Sequence, residues 1–136
     1  MLRIVYVSTA ATHQAELPGM LARARAKNRA LDITGMLIYK DGYFMQVLEG
    51  QKSPVGELLE TIRHDPRHRG VQVLSNEVVS ERLFAPWSMG YRDLSDPVVR
   101  ELPGLTRFLS TSLSAAEFRG QAQGGLRLLQ RFSAGE

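Results

Sequence analysis

The chain contains no cysteine. Disulfides, thiolate metal sites and cysteine nucleophiles are thereby excluded, and the reducing cytoplasm is the natural expectation for its location. Long apolar runs are also missing. The opening MLRIVYVSTAA sets an arginine inside a stretch too short for a bilayer, and nothing else approaches the roughly 20 apolar residues a membrane helix requires. A soluble protein without a signal peptide or membrane contact is expected. Charge of one sign is scarce, because 17 Lys and Arg against 14 Asp and Glu leave a net +3. That imbalance does not call for nucleic acid as a partner. The basic residues gather in two short clusters, one with Arg23, Arg25, Lys27 and Arg29, the other with Arg63, His64, Arg67, His68 and Arg69. Each cluster reads either as a solvated helix end or as a holder for a phosphate-bearing ligand.

At 136 residues the chain is long enough for one domain with a sheet and two helices. It is organised around residues 32–50, DITGMLIYKDGYFMQVLEG, where two apolar runs flank Lys40-Asp41-Gly42. An Asp-Gly pair between strand-like runs predicts a β-hairpin. In its second arm Gln46 stands among Phe44, Met45, Val47 and Leu48, where β-propensity favours Val or Ile. Alternation puts Phe44, Gln46 and Leu48 on one face, so the amide is expected to be buried. A buried primary amide needs partners, since an unmet polar group costs about 1–3 kcal/mol.

Alternation over residues 2–8 predicts a first strand with Tyr6 and Ser8 on one face. Leu17, Met20, Leu21 and Ala24 then fall at helical spacing, predicting a helix from about residue 14 to about Asn28 with Pro18 in its first turn. Ser53-Pro54 with Glu57 reads as the capped start of a second helix, buried through Val55, Leu58, Leu59 and Ile62 and stopped by Asp65-Pro66. Residues 70–79 and 84–91 read as two more strands. The order βαββαββ predicts an α+β, ferredoxin-like sheet with its first and third strands central, adjacent and parallel, and both helices on one face. In that arrangement Tyr6 meets Gln46 beneath the helices. Two further helices are expected over residues 96–136, the latter opened by Ser114 and Glu117 and both covering the other face of the sheet.

Tyr6, Asn28, Ile33-Thr34-Gly35, Phe44-x-Gln46-x-Leu48-Glu49-Gly50, Asp65-x-Arg67-His68 and Trp87-Ser88-Met89, in that order, resemble the BLUF family of flavin-binding blue-light sensors. The resemblance covers about residues 1–95, with residues 96–136 as a helical extension. It implies FAD, with FMN or riboflavin as alternatives, its isoalloxazine ring between the first two helices. By match of position, Tyr6 is the photoactive tyrosine. Gln46 would hydrogen-bond both Tyr6 and the flavin N5/O4 edge, and Asn28 the carbonyl and N3 side. Ser8, Trp87 and Met89 would wall the Gln46 side, and Met20 and Ile62 would pack on the ring. Arg67 and His68 in the Asp65 turn, with Lys27 or Arg23, would lie near the ribityl and phosphate groups.

Each residue also has a plainer reading: Tyr6, Gln46 and Trp87 as core, Met89 as a gap filler, Asn28 as a helix C-cap, Arg67 and His68 as a solvated turn, and Glu49 as a strand-end charge. A competing function on the same fold is an acylphosphatase-like hydrolase, which uses an arginine and an asparagine on phosphate. RNA recognition on the sheet is disfavoured, because the third strand lacks the basic-aromatic pattern it needs. The resemblance predicts a sensor and not an enzyme, since nothing after residue 95 is long enough for a catalytic output domain. The signal is then expected to leave through an effector protein in trans or a second copy of the chain. Residues 84–91, exchanging Met89 against Trp87, and the apolar Leu102, Leu105, Phe108 and Phe118 behind them are the expected route, with light-dependent amide exchange greater over residues 84–118 than in the first helix.

Overall fold

The computed structural model describes residues 1–10, 16–40, 43–85 and 87–93. The order of elements is β1 (Leu2–Ala10), α1 (Leu17–Ala30), β2 (Thr34–Lys40), β3 (Tyr43–Gly50), α2 (Lys52–Arg63), β4 (His68–Val78) and β5 (Gly90–Asp93). The hairpin arms β2 and β3 pair antiparallel from Thr34↔Glu49 to Lys40↔Tyr43. The turn residues Asp41 and Gly42, and the helices expected over 96–136, lie outside the described residues. Among the described residues, no helix is long and apolar enough to cross a membrane.

The sheet runs β4-β1-β3-β2-β5, the ferredoxin-like arrangement with an added edge strand. β1 and β3 are adjacent at its centre, as expected, but they run antiparallel. The expected parallel pairing fails on direction alone. Crossover through α1 returns the chain so that β2 points the same way as β1, and the hairpin then reverses β3, which slots between them. β4 is likewise antiparallel to β1, while β5 is parallel to β2.

Side-chain alternation divides the sheet. Leu2, Ile4 and Tyr6 of β1, Leu37 of β2, and Phe44 and Leu48 of β3 form one core cluster with Leu17, Met20 and Leu21 of α1 and Val55, Leu58, Leu59 and Ile62 of α2. Both helices therefore pack on one face. The opposite parity, Val5, Met36, Ile38 and Val47, is buried as well.

Pro18 stands in the first turn of α1, where its missing N–H leaves no bond unmade. The helix ends into Asp32, whose φ of 54° is a left-handed conformation that aspartate tolerates. α2 differs from the capping box expected at Ser53. Because β3 continues to Gly50, the helix begins at once, its cap is Gln51 without a side-chain bond, and Ser53 and Pro54 fall inside the first turn. Pro54 is still placed where an N–H has no helical partner.

Residues 84–91 do not form one strand; β5 is only Gly90–Asp93. The N–H groups of Leu83 and Phe84 both go to the Glu49 carboxylate at 2.8 Å, and Trp87 N donates to the Phe84 carbonyl at 3.0 Å. With its donors so engaged, the segment turns before it reaches β2. Gly35 makes its approach feasible: Gly35 N donates to the Trp87 carbonyl at 3.1 Å, and a Cβ at residue 35 would collide with the Val47 carbonyl behind it.

Candidate functional site

Tyr6 and Gln46 stand directly opposite each other in the β1–β3 register. Both are buried on the helix side, Tyr6 at 0% exposure and Gln46 at 6%. Yet they share no hydrogen bond. The Tyr6 hydroxyl is buried and finds no partner among the described residues, and Gln46 Nε2 donates to the thioether of Met89 at 3.4 Å. Sulfur is a weak acceptor. The sheet thus supplies the expected pair of polar groups, the Gln46 amide on a weak acceptor and the Tyr6 hydroxyl unmet among the described residues, the latter at a cost of about 1–3 kcal/mol.

Beside them lies a cavity of about 190 Å³ between α1 and α2. From α1 it receives Met20, Arg23, Lys27 and Asn28, and from α2 Leu58 and Ile62. Gln46 and Leu37 come from the sheet, Asp65, Arg67 and His68 from the turn after α2, and Met89 closes the remaining side. All the residues expected to hold a cofactor line it except Tyr6 and Ser8, which stand behind His68. Ser8 Oγ and His68 Nδ1 share a hydrogen bond of 2.9 Å, and the His68 ring is edge-on to Tyr6 at 6.2 Å and tilted over Phe44 at 5.2 Å.

Trp87 is where expectation and geometry part. It is buried against Phe84 at 6.1 Å between ring centroids and does not line the cavity, so Met89 and not Trp87 is the neighbour of Gln46. The resemblance implies both on the Gln46 wall, and without a strand over 84–89 the two side chains need not share a face.

The polar residues of the rim are partly committed. Arg67 is held by Asp65 in its own turn, Nε to Oδ1 at 3.0 Å and Nη2 to Oδ2 at 2.8 Å. That hydrogen bond keeps the Asp65 carboxyl below its ordinary range. Asn28, 2% exposed, gives Nδ2 to the Ser88 carbonyl at 2.7 Å while its own carbonyl receives Ile33 N at 2.8 Å. Arg25 Nε donates to the carbonyl of Met89 at 2.9 Å. Glu49 is fully buried, paired with Arg3 at 2.8 Å as well as with the two N–H groups of residues 83 and 84. The roles of Arg25 and Glu49 escaped the sequence reading, because their partners are distant arginine or main-chain groups that carry no sequence signal. Among the described residues, no cluster of His, Asp and Glu is placed to hold a metal ion.

Burial, aided by the negative charge of Asp65, pushes the Tyr6 phenol well above an ordinary tyrosine, and burial pushes the His68 imidazolium down. The signs are opposite in consequence. Above pH about 10 the unfolded chain ionises Tyr6 and the fold does not, so stability should fall as pH rises. Below pH about 6.5 the unfolded chain protonates His68 before the fold does, so stability should fall as pH drops. Urea midpoints across this range are expected to show both limbs. Tyr6→Phe should flatten the alkaline one, and a variant with an unchanged alkaline limb would assign that limb to other groups.

Residues 1–90 match the profile of the BLUF family, described as sensors of blue-light using FAD. The photoactivated adenylate cyclase subunit beta of Euglena longa is 35% identical over 89 residues, which cover 63% of this chain and 10% of that protein. The chain spans about a tenth of the curated relatives it matches first. Among solved structures, the dark state of the BLUF protein BlrB superposes with a TM-score of 0.80 at 27% identity, covering 96% of this chain and 95% of that one. A bacterial light-regulated adenylyl cyclase gives a TM-score of 0.70 at 26% identity over 97% of this chain and 36% of that one. The hydrolase reading finds no support beside these. A profile match over two-thirds of the sequence, on a sheet of this order with this slot, makes the chain a member of the BLUF family, the flavin-binding sensors of blue light.

Proposed function

We propose that the slot between α1 and α2 takes the isoalloxazine ring of FAD, with FMN or riboflavin as alternatives, and that Tyr6 and Gln46 together report its excitation. The observation that carries this reading is the buried hydroxyl of Tyr6, without a partner among the described residues and directly across from Gln46, near an apolar slot rimmed with polar groups. A protein that buries such a pair fits a planar ligand with hydrogen-bonding edges. Bound flavin supplies absorption of blue light and an excited state that accepts an electron.

The remaining chemistry belongs to the chain. Tyr6, kept neutral by burial, would be the donor of one electron to the excited flavin and of its hydroxyl proton by way of Gln46, leaving a neutral tyrosyl radical that is restored when both return. Gln46 receives or relays that proton, and rotation or tautomerisation of its amide exchanges a donor for an acceptor without adding charge. Met20 and Ile62 pack on the ring faces, and Asn28 orients the polar edge. Ser8 holds His68 in place, while Arg23, Lys27, Arg67 and His68 attend the ribityl and phosphate groups beside Asp65. Met89 responds first, since its sulfur is the acceptor of Gln46 Nε2.

The chain acts as a sensor and not as an enzyme, in the cytoplasm, and passes its signal to an effector protein in trans or to a second copy. Residues 1–95 form the flavin unit and residues 96–136 a C-terminal extension of it. Protein purified and reconstituted with FAD should be yellow, and illumination should shift its absorption reversibly to the red. A colourless protein that FAD does not reconstitute overturns the proposal.

A further inference from the structure

Met89 is held from two sides by different elements. On the sheet side Gln46 Nε2 reaches its sulfur at 3.4 Å. On the helix side Arg25 Nε donates to its carbonyl at 2.9 Å, and Asn28 Nδ2 donates to the preceding carbonyl, Ser88, at 2.7 Å. Arg25 and Asn28 are three residues apart on α1 and so share a face of the helix. Two successive carbonyls are thus tied to one helix face, and the main chain at 88–89 cannot slide along α1 without breaking both ties.

The two grips differ in strength. A guanidinium N–H on a carbonyl is charge-assisted, whereas an amide N–H on a thioether is among the weaker contacts a protein makes. Any change in the Gln46 amide therefore releases the sulfur readily, but displacing Met89 as a whole works against Arg25. Arg25 does not line the cavity, and its bond to the Met89 carbonyl connects it to a residue that does. We propose that Arg25 is a positioning residue that holds Met89 in register with Gln46, opposes the light-driven rearrangement and so shortens the life of the lit arrangement. The inference rests on the flavin and Gln46 reading above.

The test compares FAD-reconstituted wild type, Arg25→Met and Arg25→Lys by the size of the red shift and the rate of dark recovery. Methionine keeps the apolar stem of the side chain and removes its donors, whereas lysine keeps a charged donor. Arg25→Met should show a red shift of wild-type size with recovery slowed about threefold or more, the scale expected for part of one charge-assisted bond. Arg25→Lys should recover faster than Arg25→Met. An unchanged, only marginally slowed or faster recovery in Arg25→Met overturns the proposal, as does loss of its red shift, which would make Arg25 part of the flavin site itself. Wild type without a red shift would instead sink the flavin reading. A readout independent of the variants is the Arg25 Nε–H resonance in wild-type protein, which should move on illumination. A resonance identical in light and dark refutes the clamp.

Discussion

Gln46→Leu and Tyr6→Phe should both bind FAD, and neither should shift its absorption on illumination. Leucine nearly matches glutamine in volume, so the slot keeps its shape, and the sulfur of Met89 exchanges a weak N–H contact for an apolar one. No buried polar group is stranded by that change. Tyr6→Phe goes further, because it deletes a hydroxyl that has no partner among the described residues. The flavin-free variant should be as stable as wild type or more stable by about 1–3 kcal/mol, the usual penalty of an unmet buried group. Loss of response without loss of stability is the signature that separates a photochemical role from a packing one. Difference spectra and urea midpoints on the same samples measure both, and a normal reversible shift in either variant would show that the pair is wrongly assigned.

Glu49→Ala should cost about 3–5 kcal/mol, the range for leaving a buried charge without its partner. The Glu49 carboxylate is fully buried and meets Arg3 Nε, Leu83 N and Phe84 N, each at 2.8 Å. Its removal leaves a guanidinium at 9% side-chain exposure and two main-chain donors to be met some other way. The loop is also staked by Arg3 Nη2 on the Glu81 carbonyl and by Arg82 on Thr34 Oγ1 and the Asp32 carbonyl. Those ties keep the loop near β3 while the carboxylate is gone, so the loss should appear in the urea midpoint as reduced stability of a still-folded protein. A loss below about 1 kcal/mol would mean that water or a rearranged loop replaces Glu49, contrary to the burial argument.

How far the sequence could be read depended on the range of the forces involved. The hairpin was legible because Asp41-Gly42 and alternation act over a few residues, and Gln46 stood out because a strand core has no local use for an amide. The direction of β1 against β3 is a matter of counting reversals, and the topology was named correctly while the parity was not. Residues 84–89 were misread for a deeper reason. Their apolar and aromatic composition does suit a strand, but the partner that takes the N–H groups of Leu83 and Phe84 is a carboxylate 34 or 35 residues earlier in the chain. Arg25 was hidden in the same way. It is one of four basic residues on a helix, and nothing local distinguishes the one whose guanidinium meets a carbonyl 64 residues away. Of the cavity residues, the ordered motif names the polar Asn28, Gln46, Asp65, Arg67 and His68 together with Met89, whereas most of the apolar lining is not in the motif.

A slot held open between α1 and α2 would also tie the abundance of the folded chain to the supply of the flavin that fills it. A ligand that binds only the folded chain lowers the population of opened chains. Ligand at a hundred times its dissociation constant adds about 2.7 kcal/mol to the folded state by mass action. Proteases draw on the open population, so empty copies are cleared faster than loaded ones. A cell short of flavin would then hold fewer receptors in place of the same number of blind ones, and those that survived would be competent to respond.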